Sequence, residues 1–200
     1  MSTLLQIKTS IFGDDGQSSR LADEFVAVWR DNHPGSRVLV RDLAAEPVPH
    51  LDAATARAFF TPAEKRDASQ QARADYSDRL IDEVREADVL VLGLPMYNFG
   101  VPSTLKAWFD HIARAGITFR YTERGPRGLL GGRKAYVLAA RGGRHRGTPA
   151  DTQTGYVRDF LNFIGIVDVE FIYAEGLNMG EESQQAGLGE ARKCIRTLAA

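Results

Sequence analysis

Three short stretches hold the residue types able to do chemistry. The first, Thr9-Ser10-Ile11-Phe12-Gly13-Asp14-Asp15-Gly16-Gln17-Ser18-Ser19, lies between an apolar run and a helical pattern. Hydroxyls at Ser10 and Ser18, the amide of Gln17 and the unpaired N–H groups of a helix start suit a phosphate without any cationic side chain. Each such bond to a phosphate monoester is worth about 1.5–3 kcal/mol. Ser18 reads as the helix N-cap, with Ser19 in the first turn. Asp14 and Asp15 oppose a dianion unless they face solvent. The second stretch, Pro95-Met96-Tyr97-Asn98-Phe99-Gly100-Val101-Pro102, leaves the buried run 89–94. Tyr97 or Phe99 suits the face of a flat ring, Asn98 suits a polar ring edge, and Pro102 sits where a helix would start. In the third, Ala140-Arg141-Gly142-Gly143-Arg144-His145-Arg146-Gly147, paired glycines let the backbone approach a flat ligand with no Cβ in the way. Taken singly, these are turn and packing residues. Together, at the ends of three strands, they describe a site for a flat, phosphate-bearing ligand such as a flavin.

The elements that must position these stretches follow from periodicity. Strands are expected at 4–8, 38–41, 89–94, 134–140 and 169–173, and helices at 18–33, 62–87, 102–115, 154–164 and 181–198. Strand and helix alternate throughout, which predicts a parallel sheet covered on both faces. With right-handed crossovers the fold is α/β, flavodoxin-like and doubly wound, with five strands in the order 2-1-3-4-5. Ligands of such sheets bind at the carboxyl ends of the strands, where the three stretches lie. Leu21, Phe25, Val28 and Trp29 share one face of the first helix, and His33-Pro34-Gly35 stops it. Leu105, Trp108, Phe109 and Ile112 share a face of the helix after Pro102. The segment 42–60, with Pro47 and Pro49, reads as irregular. Ile117–Tyr121 alternates with period two.

Composition excludes other classes. The 200 residues suit a single domain, 1–200, and the 25 Lys and Arg balance 26 Asp and Glu to a net charge of −1. No basic stripe marks a nucleic-acid partner, and no run approaches the ~18 apolar residues of a membrane span. No metal-ligand set is predicted. The single cysteine, Cys194, allows no internal disulfide and fits a reducing, cytoplasmic setting. It reads as a buried or half-buried residue of the last helix. There is no G-x-G-x-x-G, no G-K-[ST] and no G-x-S-x-G, so dinucleotide, P-loop and serine-hydrolase readings fall. A signalling receiver needs a phosphorylatable Asp after the third strand, which here ends Gly93-Leu94-Pro95.

Pro95-Met96-Tyr97-Asn98-Phe99, the segment Arg114-Ala115-Gly116-Ile117-Thr118-Phe119-Arg120-Tyr121-Thr122-Glu123 and Arg141-Gly142-Gly143 resemble the FMN-dependent NADH:quinone oxidoreductases, also known as azoreductases. The resemblance extends to Val40-Arg41-Asp42-Leu43, to Phe163-Ile164-Gly165-Ile166 and to Ala174-Glu175-Gly176. It implies a homodimer with FMN bound at the interface. It also implies ping-pong transfer of a hydride from NADH or NADPH through the flavin to a quinone or azo acceptor. Carried over by position, Ser10, Gly16, Gln17 and Ser18 match the phosphate loop. Met96, Tyr97, Asn98 and Phe99 match the flavin-edge loop, and Ala140, Arg141, Gly142 and Gly143 the pyrimidine-end loop. The family usually has a hydroxyl residue at the positions of Gly16 and Ala140. The amides of Gly142 and Gly143 are expected to meet charge developing on the ring, with His145 a candidate for help by charge or proton donation. Phe60, Phe99, Phe119, Tyr121 and Phe163 are the candidate acceptor pocket, with core packing the rival for each. The competing function is a flavodoxin-like electron carrier, against which the near-neutral charge and the aromatic insert speak.

Overall fold

The computed structural model describes residues 2–199. Five parallel strands, β1 (Thr3–Lys8), β2 (Arg37–Asp42), β3 (Val89–Pro95), β6 (Lys134–Ala140) and β7 (Asp168–Ala174), form one sheet in the order β2-β1-β3-β6-β7. That is the predicted 2-1-3-4-5, with a separate antiparallel hairpin, β4 (Phe119–Thr122) and β5 (Gly125–Gly128), inserted before the fourth strand of the sheet. Central β3 and β6 are buried along nearly their whole length, as strands covered on both faces must be, whereas edge strand β2 has no buried residue.

Two cores flank the sheet. On one face, Leu4, Val91, Tyr136, Leu138 and Ile172 pack against α1 (Gln17–Asn32) and α6 (Glu181–Leu198) through Leu21, Phe25, Trp29, Ala191 and Ile195. On the other, Leu5, Ile7, Leu92, Leu94 and Val137 meet α3 (Ala68–Glu86), α4 (Ser103–Ile112) and α5 (Thr152–Ile164) through Ile81, Val84, Trp108, Phe109, Val157 and Leu161. The apolar stripes expected for α1 and α4 are therefore the faces that are buried, with Val28 only partly so.

Several expectations need correction. The N-cap of α1 is Gly16, not Ser18; Ser18 lies in the first turn and is buried. The helix expected over 62–87 starts only at Ala68, because Asp67 and Gln70 close a capping box there, while Pro62 opens an isolated 3-10 turn. The segment read as irregular contains α2 (Ala53–Phe60), nucleated by Asp52, whose carboxylate accepts from the Thr55 amide. Cys194 is exposed, because Ala191 and Ile195 define the buried stripe of α6 and position 194 falls beside it.

The hairpin is locked to the end of α5. Leu130 N donates to the Ile164 carbonyl, and Gly165 closes α5 in the left-handed conformation at φ 105°. A Cβ on Gly128 would fall 2.1 Å from Gly165 N and 2.3 Å from Ile164 C. These are backbone atoms that cannot swing aside. Gly128→Ala is expected to lower the unfolding free energy by about 1–3 kcal/mol, read as a lower urea midpoint with an unchanged slope.

Candidate functional site

At the carboxyl edge of the sheet, the loops after β1, β3, β6 and β7 surround a cleft of about 250 Å³. Ser10, Gly16, Gln17, Ser18, Met96, Tyr97, Ala140, Arg141 and Gly142 all line it. Nine of the residues singled out from sequence thus converge. Phe12, Asp15 and Pro95 fall inside the named stretches without having been assigned to the site, and the walls formed by Leu177, Asn178 and Gln184 were not singled out at all. The last three follow β7, and the rule that places ligands at carboxyl strand ends would have pointed to them.

The phosphate end is built from α1. Gly93 lets the helix start approach β3, since a Cβ there would lie 3.0 Å from the Ser18 carbonyl oxygen. Among the described residues, the amides of Gln17, Ser18 and Ser19 donate to no protein group, and the buried hydroxyls of Ser18 and Ser19 have no partner. A buried, unpartnered hydroxyl is costly unless something arrives to bond it. Ser10 Oγ lies 3.1 Å from Tyr97 Oη and accepts from the Phe12 amide, so the first and second loops are joined. A side chain at position 16 would start 2.1 Å from Ser10 Oγ, so in this chain Ser10 occupies that space. Asp14 is exposed and ion-paired with Lys8 at 2.7 Å, and Asp15 with Arg20 at 2.9 Å. Those partners offset the carboxylates that would oppose an anion.

The second loop is strained and fastened. Tyr97 and Gly100 exchange backbone bonds of 3.1 and 2.9 Å, which forces Asn98 and Phe99 to φ 48° and 63°. For a bulky residue such as Phe99 that conformation costs about 1–2 kcal/mol. Buried Gln153 on α5 offsets the cost by donating to the carbonyls of Pro95 and Gly100, and Thr152 Oγ1 donates to the Phe99 carbonyl. Neither Asn98 nor Phe99 lines the cleft itself; Phe99 stands exposed, edge-on to His145 with ring centroids 5.7 Å apart.

In the third loop the carbonyls of Arg141, Gly142 and Gly143 accept from Leu177, Asn178 and Gly176. The amides of Gly142 and Gly143 donate to nothing among the described residues. Both N–H groups are thus free of protein partners, but only Gly142 lines the cleft; Gly143 lies just beyond its lining. The Arg141 side chain, by contrast, is fully buried and committed to Asp151 at 2.7 Å and Glu175 at 3.1 Å. Arg141 therefore supports the loop rather than reaching a ligand with its guanidinium. A neighbouring cleft of about 410 Å³, between Arg144, Arg146, Tyr173, Glu175 and Glu190, contains none of the residues singled out for the cofactor.

The five aromatics expected to form one acceptor pocket do not meet in one chain. Phe119 packs on Phe163 at 4.2 Å and edge-on to Tyr121 at 5.5 Å, at the hairpin end of α5. Phe163 lies ten residues beyond Gln153, about 15 Å along the helix from the cleft end. Phe60 and Phe99 are separately exposed, at 82% and 60%.

A doubly wound sheet whose carboxyl edge presents a phosphate cradle, an aromatic turn and free glycine amides defines a flavodoxin-like cofactor-binding protein. The flavodoxin-like fold family matches residues 2–198. The chain is 61% identical over 184 residues to the FMN-dependent NADH:quinone oxidoreductase of Cellvibrio japonicus (strain Ueda107), covering 92% of each. To the protein of the same description from Burkholderia pseudomallei (strain K96243) it is 54% identical over 198 residues, covering 99% of this chain and 100% of that one. Among solved structures, azoreductase from Bacillus anthracis str. Sterne superimposes with a TM-score of 0.87 at 31% identity, covering 99% of this chain and 100% of that one. An FMN-dependent NADH-azoreductase from Bacillus anthracis str. Ames Ancestor, solved in complex with FMN, gives a TM-score of 0.88 at 25% identity over the full length of both. The chain belongs to the FMN-dependent NADH:quinone oxidoreductase family.

Proposed function

We propose that this chain acts as one FMN-binding domain that transfers two electrons from a reduced nicotinamide to quinones, and to azo compounds, by a ping-pong mechanism. The observation that carries the reading is the set of unpartnered donors at one cleft: the buried hydroxyl of Ser18 and the first-turn amides of α1 at one end, and the amide of Gly142 in the third loop, with the free Gly143 amide next to it. They fit FMN, whose phosphate takes the first group and whose pyrimidine edge takes the second. When bound, FMN supplies hydride acceptance and two-electron donation, so no protein nucleophile is needed. The protein's part is to hold the ring, leave one face open and meet negative charge near the pyrimidine with N–H donors. Tyr97, which lines the cleft, would hold the aromatic edge, the strained Asn98–Phe99 turn stands at its rim, and half-buried His145 beside Phe99 is the candidate proton or charge donor.

The aromatic cluster supports a homodimer. Phe119 is buried and packs with Phe163 at the core, about 15 Å along α5 from their own chain's cleft, so of the three Tyr121 is the ring open to a second copy. Tyr121, Phe60 and Phe99 are large exposed apolar groups of the kind a subunit interface covers. Among the described residues no helix is long and apolar enough to cross a membrane, and we place the enzyme in the cytoplasm.

The deciding measurement is the visible spectrum of the purified protein during anaerobic addition of NADH. Bands near about 450 nm that bleach with NADH and return with benzoquinone are expected. A protein that stays colourless after incubation with FMN overturns the reading, and bound flavin that NADH cannot bleach returns the chain to the electron-carrier class.

A further inference from the structure

We propose that Glu175 is a positioning residue that fixes the loop carrying the free Gly142 and Gly143 amides; its role toward the flavin rests on the reading above. A single oxygen, Glu175 Oε1, accepts from Arg141 Nη1 at 3.1 Å, from His145 N at 2.9 Å and from Arg146 N at 2.9 Å. The next residue, Gly176, donates its amide to the Gly143 carbonyl at 3.0 Å. One dipeptide therefore holds both ends of the 143–146 segment. Consecutive backbone N–H groups converging on one carboxylate make an anchor that no neutral side chain reproduces with equal strength.

The anchor continues inward. The guanidinium of Arg141 is fully buried and passes from Glu175 to Asp151 at 2.7 Å and Thr154 Oγ1 at 3.2 Å, at the start of α5. Thr154 Oγ1 in turn lies 3.0 Å from Tyr173 Oη, and Arg141 sits over the Tyr173 ring at 5.1 Å. The next residue before Thr154, Gln153, grips Pro95 and Gly100. Glu175 is thus the end of a buried chain linking the pyrimidine-end loop to the aromatic turn, and it makes this link with no atom lining the cleft. The carbonyls of Arg141 and Gly142, held by the Leu177 and Asn178 amides, set the directions of the Gly142 and Gly143 N–H groups through their planar peptide units, and Glu175 holds the following residues 145–146, whose release would let the whole turn shift.

The test uses the full chain with Glu175→Gln, which keeps the shape and removes the charge. Amide exchange by NMR is expected to speed up at least about 10-fold at His145 and Arg146, with the β6 core amides unchanged. The FMN dissociation constant, titrated by flavin fluorescence, is expected to rise at least about 10-fold. The visible circular dichroism of the bound flavin, which reports how the ring is seated, is expected to change. A residue that is merely structural would lower thermal stability and leave that signature and the affinity unaltered, which overturns the proposal, as does unchanged exchange at His145 and Arg146. If Glu175→Gln does not fold, Glu175→Asp keeps the charge but withdraws the oxygen by one methylene, and the same readouts decide. A parent chain that binds no FMN overturns the functional reading instead, and the exchange rates then judge the anchor alone.

Discussion

Arg141→Met is expected to lower the unfolding free energy by about 3–5 kcal/mol at pH 7, the largest effect of any single substitution away from the apolar core. Methionine fills much the same volume but strands two carboxylates that are themselves mostly buried: the Asp151 and Glu175 side chains are only 8% and 15% exposed. The pH dependence carries the diagnosis. Burial pushes the Asp151 carboxyl up, but the hydrogen bond from Arg141 and those from the Thr154 hydroxyl and amide outweigh it and hold the group below the usual carboxylate range. A depressed carboxyl stabilises the fold above its unfolded value of about 3.9, and that contribution is lost as pH falls through the folded value. Without Arg141 only the Thr154 bonds still oppose burial, so the depression shrinks and acidification costs the variant less than the parent. Urea unfolding at pH 7 and pH 4 should therefore show the deficit of Arg141→Met shrinking as pH falls. A gap below about 1 kcal/mol at pH 7 would show that the pair is replaceable by packing.

Ser18→Ala is expected to separate binding from stability. Its hydroxyl is 1% exposed as a residue and bonds to no protein group, so its loss should leave the stability of the FMN-free protein unchanged or slightly raised. Toward a phosphate the same hydroxyl makes a charge-assisted bond worth about 1.5–3 kcal/mol, and FMN should bind about 10- to 100-fold more weakly. Riboflavin, which lacks the phosphate, should bind the variant and the parent alike. Equal loss for riboflavin and FMN would place the phosphate elsewhere.

These two residues show how differently parts of the site are legible. Ser18 was marked as a phosphate contact from its type and its place after a first strand, and the structure brings it into the cleft, although as a buried first-turn residue rather than the cap. Capping is decided by one dihedral: Gly16 leaves the chain in extended geometry at ψ 137°, and the cap falls two residues earlier than a hydroxyl-based rule expects. Arg141 was marked only by position, as part of the loop the resemblance assigns to the pyrimidine end. Its partners lie 10 and 34 residues away, at distances no local pattern encodes.

What the sequence alone determined is the sheet, its order and three of the four loops of the cleft. Short continuous apolar runs and stripes of period 3.6 are local, and a strand buried on both faces admits few crossovers. What only the tertiary structure decided is how the loops are held. The left-handed Asn98–Phe99 turn depends on Thr152 and Gln153, and the 142–146 loop on Glu175 and buried Arg141. The separation of Phe119, Tyr121 and Phe163 from their own cleft was equally invisible, because the length and direction of α5 set it. Local patterns report which face of an element meets the core. They do not report which distant polar group satisfies a buried charge, since that pairing exists only once the layers have packed.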